Sequence, residues 1–220
     1  MGVMTSAGTI FIVDDDPTFA RGLSRLIRAA GWKPEVYSSA ADFLARGRLD
    51  DGACGCVLLD VKMPGMKGPD LYREMLERRM TLPVVFLTGY GDVPTSVDAM
   101  KLGAVDFLEK PVSGELLVRT VRVALERHCA GIEQARDRRD VEARLALLSP
   151  REREVMRHVI GGRLNKQIAA DLGISLKTVK AHRGKVMEKM RAASVAALVD
   201  LCHTAGVGAA AQRGGPHVLS

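Results

Sequence analysis

Between Thr9 and Pro111 five short apolar runs alternate with longer stretches of helical periodicity, and few chain folds accept that order. The runs are TIFIV (9–13), KPEVY (33–37), CVLLD (56–60), PVVFLT (83–88) and VDFLE (105–109). Strands of this length separated by amphipathic helices predict a parallel sheet with crossover helices on both faces. The first helix has the clearest local logic. Asp16 is placed to cap it, Pro17 suits its first position, and Phe19, Leu23, Leu26, Ile27 and Ala30 recur on one face before Gly31 ends it. Asp14 and Asp15 then stand at the carboxyl end of the first strand, the edge where open α/β sheets build their sites.

The pattern changes at Ser113. From there to Leu147 the chain has no proline and reads as helix with densely interleaved charges. Gly131 is expected to interrupt it, because an interior glycine costs about 1 kcal/mol relative to alanine. Ile132, Val141, Leu145 and Leu148 are too sparse for sustained heptads. Four short helical segments follow, each with a start signal: the capping box Ser149-Pro150-Arg151-Glu152, then Asn165, Ser175 and Ser194 as caps. The expected organisation is an α/β domain over 8–125, with a five-stranded parallel, doubly wound sheet. A helical linker over 126–144, an all-α four-helix domain over 145–205 and a disordered Gly/Ala-rich tail over 206–220 complete it.

Charge separates the same regions. Residues 1–111 hold 13 Lys/Arg against 15 Asp/Glu, while residues 149–220 hold 12 against 5, so a net of +7 is concentrated in the last third. That third is built to meet a polyanion. No stretch approaches the roughly 20 apolar residues of a membrane span, and MGVMTSAGTIFIVDDD lacks the basic start and long apolar core of a secretion signal. A cytoplasmic protein is expected. Cys54, Cys56, Cys129 and Cys202 match no common zinc spacing and are expected to be free thiols.

Asp14, Asp15 and Asp60 end the first and third strands, which neighbour each other in this topology. Clustered carboxylates repel unless a cation neutralises them, and a hard divalent ion such as Mg²⁺ suits oxygen ligands. Lys110, after the fifth strand, supplies a balancing charge, and Thr88, ending the fourth, a hydroxyl. At this point VDDD, LLDVKMPGMKG, FLTGYGDVP and AVDFLEKP resemble the receiver domain of two-component response regulators. The resemblance implies a receiver fold of the flavodoxin/CheY-like kind in which Asp60 accepts phosphate from a cognate histidine kinase. It also implies that Asp15, Asp60 and the backbone carbonyl of Lys62 hold Mg²⁺, with Asp14 acting through a water. Thr88 would bond the phosphoryl group, Lys110 would pair with it, Phe107 would be an aromatic switch, and the Lys110–Pro111 peptide would be cis. Lys62 and Tyr90, two residues after Asp60 and Thr88, are neither carboxylate nor amide, so slow autodephosphorylation is expected.

In the last third, KQIAADLGI and SLKTVKAHRGKVMEKM have a helix-turn-helix layout with Gly173 at the turn. Val179, His182, Val186 and Met190 form a stripe expected to face the core. The opposite face carries Lys177, Thr178, Lys180, Ala181, Arg183, Gly184 and Lys185, basic with small residues that allow close approach to a major groove. The segment 145–205 resembles the LuxR-type helix-turn-helix domain, and its order after a receiver points to the NarL/FixJ group, with the FixJ branch nearest. By matching positions, Lys180, Ala181 and Gly184 would lie at base edges, with Lys177, Thr178, Arg183 and Lys185 nearer phosphates.

Partners implied are the kinase, double-stranded promoter DNA and a second copy of the phosphorylated chain, with RNA polymerase as a further contact and no membrane. The only chemistry expected is self-phosphorylation from a donor and autodephosphorylation. Phosphoaspartate hydrolases of the haloacid-dehalogenase type need D-x-D, which LLDVKM lacks. A DNA-binding protein with a degenerate receiver would not need the full Asp14, Asp15, Asp60, Thr88 and Lys110 set.

Overall fold

A computed structural model describes residues 8–47, 52–89 and 103–208. Tyr90, most of the TGYGDVP segment and the tail from 209 lie outside the described residues. The chain divides into two compact units, Met1–Glu133 and Gln134–Ser220.

In the first unit, β1 (Thr9–Val13), α1 (Pro17–Ala29), β2 (Lys33–Tyr37), α2 (Ala40–Arg46), β3 (Gly55–Asp60), α3 (Gly68–Glu77), β4 (Val84–Thr88) and β5 (Asp106–Glu109) precede a long helix α4 (Gly114–Ala146). The strands pair in parallel in the order β2-β1-β3-β4-β5. Because side chains alternate across a strand, β1 sends Phe11 and Val13 to one face and Ile10 and Ile12 to the other. The first pair joins Phe43 of α2 and Leu71 and Met75 of α3. The second joins Leu23 and Ile27 of α1 and Leu117 and Val121 of α4. Covering both faces is what makes the central strands apolar along their whole length.

Local signals account for the helix starts. Asp16 accepts hydrogen bonds from the Thr18 and Phe19 amides, with Pro17 at the first helical position. Ser39 caps α2 by accepting from the Asp42 amide, and Ser113 accepts from Leu116 at the start of α4.

Two expectations fail here. Gly131 does not interrupt α4, which runs unbroken for 33 residues. Charged side chains such as the Arg138–Glu142 pair, one turn apart at 2.8 Å, support it, and apolar residues anchor both ends: Cys129 and Ile132 pack against one core and Val141 and Leu145 against the other. Nor are all four cysteines free. Cys54 and Cys129 are bonded, with Cα atoms 5.3 Å apart, inside the range a disulfide spans. Sequence spacing could not show this, because 75 residues separate them and only packing of α4 beside the start of β3 brings them together. Cys56 and Cys202 are free, as expected, and both are buried.

The second unit holds α5 (Pro150–Ile160), α6 (Asn165–Leu172), α7 (Leu176–Met190) and α8 (Val195–Thr204). They close over Val155, Met156, Val159, Ile168, Val179, Val186, Met190, Leu198 and Cys202. The Ser149–Glu152 capping box is complete in both directions, and Ser175 and Ser194 cap α7 and α8. Asn165 does not cap α6. Leu164 takes the cap position, its amide satisfied by Gln167 Oε1 at 2.9 Å, which frees the Asn165 side chain for a different partner.

Candidate functional site

Parallel pairing puts the carboxyl ends of β1, β3, β4 and β5 on one edge of the sheet. Register places Val13 beside Leu59, Asp60 beside Leu87, and Thr88 beside Glu109. Asp14, Asp60, Thr88 and Lys110 therefore stand side by side from four different strands. Asp14 and Asp60 are buried, while Asp15 is exposed at the rim. Each of the three carboxylates offers an oxygen, and these oxygens lie within 4.8 Å of one another.

Lys110 crosses the cluster. Its Nζ donates to Asp14 Oδ2 at 2.7 Å and pairs with Asp60 Oδ1 at 2.8 Å. Its backbone N–H donates to the Thr88 carbonyl at 2.7 Å, and the peptide bond to Pro111 is cis. The other Asp14 oxygen accepts from the Asp16 amide at 2.9 Å. Burial raises the Asp60 carboxyl above its ordinary range; Lys110 opposes this, while Asp14 and Asp15 add to it. Burial pulls the Lys110 ammonium down, but its bonds to Asp14 and Asp60 more than offset that and hold it above its usual value. Three carboxylates and one ammonium leave the pocket electron-rich, and the atoms it offers a cation are hard oxygens.

The remaining sequence-predicted residues stand around this centre. Thr88 is half-buried, and its hydroxyl donates to the Gly89 carbonyl at 3.1 Å. Phe107 is half-buried on β5 and stacks on Phe86, with ring centroids 4.7 Å apart and planes 15° from parallel. Lys62 is exposed, two residues beyond Asp60.

Two residues escaped the sequence reading of the pocket. Phe19, counted only as core, lies under Lys110 with Nζ 4.3 Å from its ring centre, where a ring face favours a cation. Gly68 opens α3 against the end of β3, and a Cβ there would come within 2.3 Å of the Asp60 carbonyl oxygen. A glycine directly after a turn rich in glycine and proline gave no signal that this one, among Gly65 and Gly68, was the crowded position.

In the helical unit, Gly173 takes the left-handed conformation at the turn (φ 64°), and α7 presents its basic face. Lys177, Lys180, Ala181, Gly184 and Lys185 are exposed; Thr178 and Arg183 are half-buried. Thr178 is tied to the helix cap, its hydroxyl 2.8 Å from that of Ser175. Arg183 donates to Asn165 Oδ1 at 2.9 Å, fastening α7 to α6. Val179, Val186 and Met190 are buried as expected. His182 is only half-buried, and its Nδ1 is the one buried side-chain polar atom without a hydrogen-bond partner among the described residues. Lys189 on the same helix bonds Glu152 at 2.6 Å.

Comparison with known proteins divides the chain in the same way. The response regulator receiver domain family matches residues 10–122, and the luxR family of bacterial regulatory proteins matches residues 146–202. The chain is 40% identical to the transcriptional regulatory protein FixJ of Bradyrhizobium diazoefficiens, over 93% of this chain and 98% of that protein. It is 43% identical to the response regulator protein TmoT of Ectopseudomonas mendocina, over 86% of each. The solved structure of the response regulator StyR superposes with a TM-score of 0.79 at 39% identity, covering 90% of this chain and 99% of that one. Among the described residues no helix is long and apolar enough to cross a membrane. With both halves matched in order and relatives aligned nearly end to end, the chain belongs to the two-component response regulators of the NarL/FixJ type, transcription regulators that join a receiver to a LuxR-type DNA-binding domain.

Proposed function

We propose that Asp60 is the phosphoacceptor of this response regulator and that its phosphorylation by a partner histidine kinase controls DNA binding through α7. The observation that carries the reading is the Lys110 ammonium held between the Asp14 and Asp60 carboxylates at the carboxyl edge of the sheet. An Asp60 oxygen attacks the phosphorus of the donor phosphohistidine, and the imidazole leaves. Positioning and charge stabilisation carry most of the catalysis, since the developing charge spreads over the phosphoryl oxygens. Lys110 is placed to shift from the carboxylates to a phosphoryl oxygen, and Thr88 to donate its hydroxyl to another. Phe107, stacked on Phe86 but half exposed, has room to respond.

The donor set fits Mg²⁺: Asp15, Asp60 and the Lys62 carbonyl would hold it, with Asp14 through a water. Bound there, the ion would neutralise charge building on the phosphoryl oxygens. Residues 8–125 act as the receiver, 126–144 as the connecting helix and 145–205 as the DNA reader. Lys180, Ala181 and Gly184 face bases and Lys177, Thr178, Arg183 and Lys185 face phosphates, with Arg183 exchanging its Asn165 partner for one. The same reading has the protein act in the cytoplasm, dimerise when phosphorylated and meet RNA polymerase at promoters.

The test is incubation with acetyl phosphate and Mg²⁺, followed by intact mass. Wild type should gain one hydroxylamine-sensitive phosphoryl group and Asp60→Asn none. A stable adduct on Asp60→Asn at the wild-type rate would remove the assignment.

A further inference from the structure

Two cysteines outside both functional sites are joined where the first unit meets its long helix. Cys54 is buried just before β3, and Cys129 is half-buried on α4; they are bonded across 75 residues of sequence. Their neighbours make a second link between the same two segments, the Gly55 N–H donating to His128 Nδ1 at 3.1 Å. Past this double fastening the contact of α4 with the sheet-side core ends at Ile132. Ala130 and Gly131 are exposed, Ile132 is half-buried against the sheet-side core, and residues 133–140 are exposed throughout.

Gly131 sharpens the boundary. A Cβ there would meet nothing within 4 Å, and its φ is not positive, so neither packing nor backbone conformation calls for glycine. Its physical effect is to weaken the helix, by about 1 kcal/mol relative to alanine, two residues past the bonded sulfur. The anchored part of α4 thus ends in a weak point close to Glu133, where the first compact unit ends.

We propose that Cys54 and Cys129 form a reversible oxidation site: oxidation pins α4 to the amino end of β3 up to Gly131, and reduction lets that turn open. Cys129, the more exposed of the two, is the entry point. As a thiolate it attacks the O–O bond of a peroxide, becoming a sulfenic acid while the other oxygen leaves as water or an alcohol. The Cys54 thiol then displaces the sulfenic oxygen as water, so the pair has given two electrons to the peroxide. Two equivalents of a small thiol reverse this by exchange and depart as their own disulfide. Cys56 and Cys202, buried in separate cores, take no part, and burial pushes the Cys56 thiol up to about 12, away from the reactive thiolate. The site does not depend on Asp60, and α4 is the segment that covalently connects the two units.

The experiment uses the full chain, reduced with dithiothreitol and then oxidised with hydrogen peroxide, with peptide mapping and amide hydrogen exchange read by mass spectrometry on both forms. Peroxide should close Cys54–Cys129 and leave Cys56 and Cys202 as thiols. Amides of residues 126–132 should exchange roughly tenfold more slowly in the oxidised form, since their opening would have to carry a cross-link with it. Cys129→Ser should show the fast exchange of the reduced chain under both conditions. Failure to form this disulfide, or equal exchange at 126–132 in the two forms of the wild-type chain, would overturn the proposal.

Discussion

In the sheet-containing unit the decisive charges touch, two buried carboxylates and a half-buried ammonium: Lys110 lies 2.7 and 2.8 Å from Asp14 and Asp60. In the helical unit Lys177, Lys180 and Lys185 stand in solvent on one face of α7. Charges of the first kind are strongly coupled, and each fixes the state of its neighbours. Exposed charges are screened and act nearly independently, so they become useful only when a polyanion arrives. One region couples a few charges at close range, and the other spreads nearly independent charges along a surface.

The coupling in the pocket gives the largest expected effect. Replacing Lys110 by alanine leaves Asp14 and Asp60 facing each other without compensation, which should cost about 3 kcal/mol of stability in denaturant titrations without added divalent ions. A loss no greater than that of Lys185→Ala would erase the contrast between the two regions. On the DNA face, Lys180→Ala should cost roughly 1–3 kcal/mol on a selected operator fragment and much less on random DNA. Lys185→Ala should weaken both alike and flatten the salt dependence by about one unit. Equal losses on both DNAs for Lys180→Ala would place the wrong side of α7 in the groove.

Gly184 sharpens the additive picture. It sits inside α7 with nothing within 4 Å of where a Cβ would lie, so Gly184→Ala should stabilise the helical unit by about 1 kcal/mol. On the proposed reading, in which the gap at Gly184 lets DNA approach closely, operator binding should fail to improve with it. The smallest effect is confined to acid. Lys189 and the Ser149 amide hold Glu152 at about 2, below its ordinary 4.5. Its folded value being depressed, Glu152 contributes stability fully above pH 4.5 and loses it as pH falls towards 2. Acid unfolding of the helical unit followed by circular dichroism should show this dependence, and Glu152→Gln should flatten it.

What the sequence made legible follows the same division between local and distant causes. β1 and β2 match their expected bounds because each is a compact apolar or β-favouring run between turn residues. Asp16, Ser149, Ser175 and Ser194 cap as expected because capping is decided within a few residues. The residue type of Asn165 favours capping, while the competing Gln167 bond and the pull of Arg183, 18 positions away, are invisible locally. The Cys54–Cys129 bond and the crowding at Gly68 were beyond reach for the same reason: each depends on how distant elements are brought together. Phe19 reads as an apolar position in the sequence, but its place beneath Lys110 depends on where β5 ends.

The central claim is that charge placed at Asp60, in one unit, governs DNA binding by α7 in the other. The most direct measurement is a binding titration of the full chain on a selected operator fragment, with and without acetyl phosphate and Mg²⁺, for wild type and Asp60→Asn. Wild type should bind distinctly more tightly after phosphorylation, while Asp60→Asn should give the same affinity under both conditions. An equal gain for both proteins would contradict the account.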